Sequence, residues 1–134
     1  MSGFVLHPRL GADTIFVADW PLSRVRLMDD ARYRWLVLVP RVETAVEFFD
    51  LDEADRIALM EEIARAAERL KRLTGAAKIN VGALGNLVPQ LHVHVVARNP
   101  GDPAWPGPVW GHSPAVPYDT AARDAFIAQF VNAS

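Results

Sequence analysis

Apolar and polar positions alternate in short runs along the first forty residues. Thr14 to Ala18 and Leu22 to Met28 are β-branched or alternating segments separated by Asp19-Trp20-Pro21, a pattern that predicts two strands and a connection. In the second strand Leu22, Arg24 and Arg26 share one face, and Ser23, Val25 and Leu27 share the other. Asp29-Asp30-Ala31 marks a turn. Trp35 to Val39 is then a continuous apolar run closed by Pro40, which suits a central strand covered on both faces and ended by a residue that cannot extend the ladder.

The period changes to that of a helix from about Asp52 to Leu73. Asp50 or Asp52 is placed to cap it, Glu53 and Asp55 suit its first turn, Lys71 and Arg72 its last, and Gly75 its stop. Ile57, Met60, Ile63, Ala67 and Leu70 recur at helical spacing and predict the buried stripe, with Glu61, Glu62, Arg65, Glu68, Arg69 and Arg72 as the wet side. Lys78 to Gly82 reads as a strand running into a glycine-punctuated loop that lasts to Pro89, and Gln90 to Arg98 as the last strand. Residues 99–111 hold too much proline and glycine for regular structure, and Asp119 to Val131 predicts a closing helix with Phe126, Ile127 and Phe130 on one side. The sum is an α+β fold: an antiparallel sheet of about five strands, one long helix and a C-terminal helix. It forms a single domain over residues 1–134, with a core at about 14–110 and a C-terminal extension at 111–134.

Composition narrows the function classes. The 134 residues are 51% hydrophobic and 22% charged, as in an ordinary globular protein, and the formal charge of −2 gives no general attraction to nucleic acid or anionic membrane. The absence of cysteine excludes disulfides, thiolate metal sites and cysteine nucleophiles. The N-terminus shows no signal-peptide apolar region, and no stretch approaches the roughly 18 apolar residues of a membrane span, so a cytoplasmic protein is expected.

One constellation carries chemistry. Alternation along the last strand puts Gln90, His92, His94 and Val96 on one exposed face and Leu91, Val93, Val95 and Ala97 on the other, facing the core. An amide and two imidazoles then stand in a row, roughly 6.5–7 Å apart. A neutral imidazole whose Nδ1–H is held by an acceptor such as a backbone carbonyl has Nε2 free to attack phosphorus, and a second imidazole one repeat away is placed to bind phosphate oxygens. The loop Gly82-Ala83-Leu84-Gly85-Asn86 can bring backbone N–H groups to the same phosphate.

The stretch from Asn80 to Arg98 resembles the signature of the histidine triad (HIT) superfamily, His-φ-His-φ-His-φ-φ preceded by an Asn-x-Gly loop. Val37-Leu38-Val39-Pro40-Arg41 resembles the family strand that ends in a Pro-Lys or Pro-Arg step before the long helix. The resemblance implies a HIT-like fold and a nucleotide hydrolase or nucleotidyl transferase that needs no cofactor or metal. His92 would be the nucleophile that forms a covalent nucleotidyl-histidine at the α-phosphate, and His94 would contact that phosphate. Asn80, Gly82, Gly85 and Asn86 would bind the nucleotide. Trp105 matches the tryptophan that in family dimers approaches the site from the neighbouring subunit, so the implied partners are a purine nucleotide or nucleotide conjugate and a second copy of the chain. Three features depart from the family pattern. Gln90 replaces the first triad histidine, where it can orient a ring or a phosphate by hydrogen bonds but cannot carry a proton at neutral pH. Trp35 replaces a further histidine, and the serine shortly before the motif is absent, with Leu87 or Val88 nearby.

Two other readings stand beside this one. A nucleotide-binding or interaction module with little or no catalysis fits the replaced histidines. A metal-dependent enzyme using the His-x-His pair needs a third ligand from His7, His112 or a carboxylate. Otherwise His7 and His112 read as plain surface residues.

Overall fold

The computed structural model describes residues 3–133. Helix α1 (Pro8–Asp13) leads into strands β1 (Thr14–Asp19), β2 (Ser23–Met28) and β3 (Arg34–Pro40). A single 3-10 turn at Phe48–Asp50 and helix α2 (Glu53–Thr74) follow, then β4 (Lys78–Gly82), β5 (Val93–Arg98) and α3 (Thr120–Asn132). The strands form one antiparallel sheet in the order β1-β2-β3-β5-β4. This is the α+β architecture that the sequence predicts. Among the described residues, no helix is long and apolar enough to cross a membrane.

Both faces of the sheet are covered. On one face Val25, Leu27, Leu36, Leu38, Val93, Val95 and Ala97 pack against Leu59, Ile63, Ala66 and Leu70 of α2 and Phe126 and Phe130 of α3. On the other, Trp35, Val37, Val39 and Val96 form a second core with Leu10 of α1 and with Val88, Ala104 and Val109 from the connecting segments. The face of β5 that carries His94 is therefore an interior surface, and the exposed row expected from strand alternation is corrected accordingly. His92 and His94 are each only 6% exposed.

Helix α2 starts where its cap predicts: Asp52 accepts from the Asp55 backbone N–H, and Gly75 closes the helix with φ of +67°. Its buried stripe lies one step round from the predicted one. Leu59, Ile63, Ala66 and Leu70 face the sheet, whereas Ile57 and Met60 are 58% and 61% exposed.

Glu62, predicted on the wet side, is buried instead. Its two carboxylate oxygens accept the backbone N–H groups of Leu22 and Ser23 at 2.9 and 2.8 Å, which fixes the entry of β2 against α2. Glu62→Ala strands two buried donors, so a loss of about 2–4 kcal/mol is expected in urea unfolding; a loss under 1 kcal/mol contradicts this role.

Two further elements differ from expectation. Helix α1 is absent from the sequence-based pattern; Pro8 starts it, and the His7 ring caps it by accepting the Arg9 backbone N–H at 3.1 Å. The last strand begins at Val93, not Gln90. Its pairing with β3 ends at Leu38↔Val93 and with β4 at Gly82↔His94, so nothing extends the ladder to residues 90–92. That short run is tied in otherwise, with the Leu91 N–H donating to the Ala45 carbonyl at 3.0 Å.

Candidate active site

The site forms where β5 emerges from the loop Gly82 to Pro89. His92 sits just before the strand and His94 is its second residue, with ring centroids 5.0 Å apart. The pleat would separate them further, but His92 lies outside the ladder and its ring meets that of His94 edge-on, at 73° between planes.

Each ring has one nitrogen held. Nδ1 of His92 lies 2.7 Å from the Gln90 carbonyl oxygen. A carbonyl only accepts, so in the neutral ring Nδ1 carries the proton and Nε2 keeps its lone pair. His94 has the opposite arrangement. The Trp35 indole N–H donates to His94 Nδ1 at 2.9 Å, which leaves the proton of the neutral ring on Nε2. Neither Nε2 is among the polar atoms sealed from solvent without a partner. The pair thus offers one unprotonated nitrogen and one N–H donor side by side.

Burial, and secondarily the neighbouring His92 ring, push the His94 pKa down to about 3. The ring therefore acts as a neutral donor at physiological pH. An unfolded chain regains an ordinary imidazole near 6.5, which takes up a proton that the folded chain refuses until about pH 3. This group accordingly lowers stability progressively as pH falls from about 6.5 to 3 and adds no slope below that. Thermal unfolding between pH 7 and 4 is expected to fall less steeply for His94→Asn than for the parent chain. Equal slopes would show that His94 titrates normally when folded.

His92 and His94 line one groove of about 370 Å³ together with Gly85, Asn86, Val88, Trp110 and, from the N-terminal side, Arg9, Leu10 and Asp13. Trp110 stands edge-on to His94 at 5.5 Å and to Trp35 at 6.4 Å. Gly82 lies beneath that indole. A Cβ at Gly82 would approach Trp110 Cη2 to 3.0 Å, so a side chain there would press the ring aside by a few tenths of an ångström.

Four expected site residues, Gly82 beneath Trp110 and the three that follow, lie apart from the groove. The Gln90 amide turns away from the histidine rings: its Oε1 accepts the His7 N–H at 2.8 Å and its Nε2 donates to the Val5 carbonyl at 2.9 Å. The Asn80 side chain is engaged by Arg98, whose Nη1 donates to Asn80 Oδ1 at 2.8 Å. Trp105 is exposed, with the Arg98 guanidinium 5.8 Å from its ring. The sequence reading missed Arg9 and Asp13, which α1 carries to the groove, and the donor role of Trp35. A tryptophan in place of a family histidine was the one signal that could have pointed to Trp35.

No group of three or more His, Asp or Glu side chains is placed to hold a metal ion among the described residues. His7 is occupied in capping α1, and His112 has its own partner in Ser113. The His-x-His metal reading thus has no third ligand in this part of the chain.

Comparison with known proteins agrees with this geometry. The sequence matches the HIT domain over residues 9–101. A search of curated proteins returned no match. Among solved structures, a histidine triad protein from Bradyrhizobium japonicum is 50% identical, with 96% of each chain covered and a TM-score of 0.94. One from Sinorhizobium meliloti is 46% identical over 98% of this chain and 97% of its own, TM-score 0.96. A third, from Marinobacter aquaeolei, is 44% identical over 96% and 93%, TM-score 0.93. With the domain matched over residues 9–101, relatives of 44–50% identity on this same sheet and a histidine pair at the head of β5, the chain belongs to the histidine triad (HIT) family.

Proposed function

We propose that this protein cleaves a phosphoramidate or phosphoanhydride bond at the α-phosphate of a purine nucleotide or nucleotide conjugate, through a covalent nucleotidyl-histidine at His92. The observation that carries this reading is the hydrogen bond from His92 Nδ1–H to the Gln90 carbonyl. It presents Nε2 as the attacking lone pair and stabilises the ring as attack makes it cationic. The Nε2–P bond forms as the bond to the leaving group breaks; a phosphate leaves as its anion, and an amine leaves with a proton taken from solvent. The His94 Nε2–H donates to a non-bridging oxygen as negative charge builds there. Water then attacks the same phosphorus and gives up a proton to solvent, the P–N bond breaks, and His92 returns to its neutral form. Gly85 and Asn86 line the groove beside the histidines, and this reading gives them the phosphate. Asn80 reaches the ribose side only by exchanging its bond to Arg98, and Trp105 acts from a second copy.

A homodimer belongs to this proposal, as does a cytoplasmic setting. Strand β4 is an unpaired sheet edge. Beside it lies an apolar hollow of about 450 Å³ lined by Phe48, Met60, Ile63, Val81 and Val93, which accounts for the exposure of Met60.

Intact-mass analysis of protein quenched during turnover of an adenosine phosphoramidate tests the reading. The expected result is one added nucleoside monophosphate, mapped to His92. The tethering of the Gln90 amide favours a second reading, a nucleotide binder without turnover, because the first triad position supplies nothing to the leaving group. Saturable nucleotide binding with no adduct would establish that alternative.

A further inference from the structure

Gln90 stands where a histidine is expected, and its side chain does something that imidazole cannot. A carboxamide presents a donor and an acceptor next to each other, as a peptide group does. It therefore pairs with the outward-facing backbone of Val5 and His7 much as a neighbouring strand would, accepting from one and donating to the other. A neutral imidazole has one donor and one acceptor on opposite sides of a ring, so it satisfies only one of these partners. The next residues after this clamp are α1, capped by the His7 ring, with Leu10 buried in the second core. That docking brings Arg9 to the groove lined by His92 and His94.

Arg9 matters because of what the rest of the groove lacks. It is the one Lys or Arg among the groove-lining residues. His94 is held as a neutral ring, so Arg9 is the one guanidinium that a polyphosphate meets along the groove wall. The ion pair of Arg9 with Asp13, at 3.5 Å and more than half exposed on both sides, is weak enough to yield to a phosphate. Its exposure puts Arg9 at the rim, outside the position of a phosphorus attacked by His92.

We propose that Gln90 is a positioning residue that clamps the N-terminal segment so that Arg9 binds the phosphate beyond the α-phosphate, giving the site a preference for leaving groups that carry phosphate. The inference rests on the nucleotide reading above. It names the residue that would favour phosphoanhydride over phosphoramidate substrates in this chain, and accounts for the glutamine.

Equilibrium binding of ADP and AMP to the full chain tests it by calorimetry. ADP is expected to bind more tightly than AMP. Arg9→Gln should weaken ADP about tenfold while moving AMP less than twofold. Asp13→Asn should strengthen ADP by a few fold. Gln90→Leu should reproduce the Arg9→Gln effect, with no further loss in the double variant, and should speed hydrogen exchange at the His7 amide. An ADP to AMP ratio that is unchanged in Arg9→Gln, or fully additive losses in the double variant, overturns the proposal. The two readings fail separately. An Arg9-dependent ADP preference without a His92 adduct upholds the inference and sinks catalysis. An adduct with no Arg9 effect does the reverse, and absence of binding by either nucleotide sinks both.

Discussion

Replacing His92 by alanine is expected to abolish turnover, with a fall on the order of 10⁴-fold or more, because the substitution removes the atom that forms the intermediate. The fold should survive. His92 lies before β5, outside the ladder, and its ring makes one hydrogen bond, to the carbonyl two residues back. Nucleotide affinity should fall far less than turnover, because His92 is one of many groove-lining residues and the others come from several segments. The informative contrast is therefore a near-constant dissociation constant against a collapsed turnover number, with the quenched adduct gone. Retention of more than a few per cent of the rate would mean that another group attacks.

The second large effect concerns stability. Arg98 ends β5 with its side chain fully buried, and its Nε and Nη2 donate to the two oxygens of Asp102 at 2.8 and 3.0 Å. Nη2 also donates to the Gly107 carbonyl, while Asp102 accepts the backbone N–H groups of Asn99, Ala104 and Trp105. This network shapes the proline-rich segment that covers the second core. Asp102→Ala leaves an unpaired buried guanidinium and should cost roughly 3–5 kcal/mol. Asp102→Asn should cost less, since it keeps an acceptor. The hydrogen bond from Arg98 holds the Asp102 carboxyl below the usual carboxylate range. Its contribution is therefore present above that range and lost as pH falls through the lowered folded value, beginning below about pH 4. Urea midpoints of the parent and Asp102→Ala at pH 7 and pH 3 check both points. The gap between them should narrow at the lower pH.

The central architecture was legible in the sequence because local pattern and tertiary role agree there. β3 is continuously apolar and lies under a core on each face, and β4 was placed to the residue. Helix α2 was found but turned by one step, since Ile57 and Met60 offer an apolar stripe beside that of Leu59 and Ala66, and the charge of Glu62 argued against burying the face that is in fact buried. Only its distant partners, Leu22 and Ser23, explain that burial. α1 escaped notice because six residues containing Pro8 and Gly11, with Leu10 as their one buried residue, give no readable period.

The site divides in the same way. His92 and His94 are readable as a pair on one side of a strand. The tautomer of His92 follows from its own backbone two residues back, whereas that of His94 depends on Trp35, 59 residues away. The tether of Gln90 to Val5 and His7 spans more than 80 residues, and no local rule reaches that far.

Gly82 and Trp110 bear on how such sites diversify. The indole fills the volume that a Cβ at position 82 would take, and its edge closes on His94. The two positions are consequently coupled. A side chain at 82 pushes the indole at 110 by a few tenths of an ångström, and a chain that loses the tryptophan gains room beside the histidines for a bulkier leaving group. Covariation between these two positions across related chains would thus record changes in substrate size, without any change in the histidines themselves.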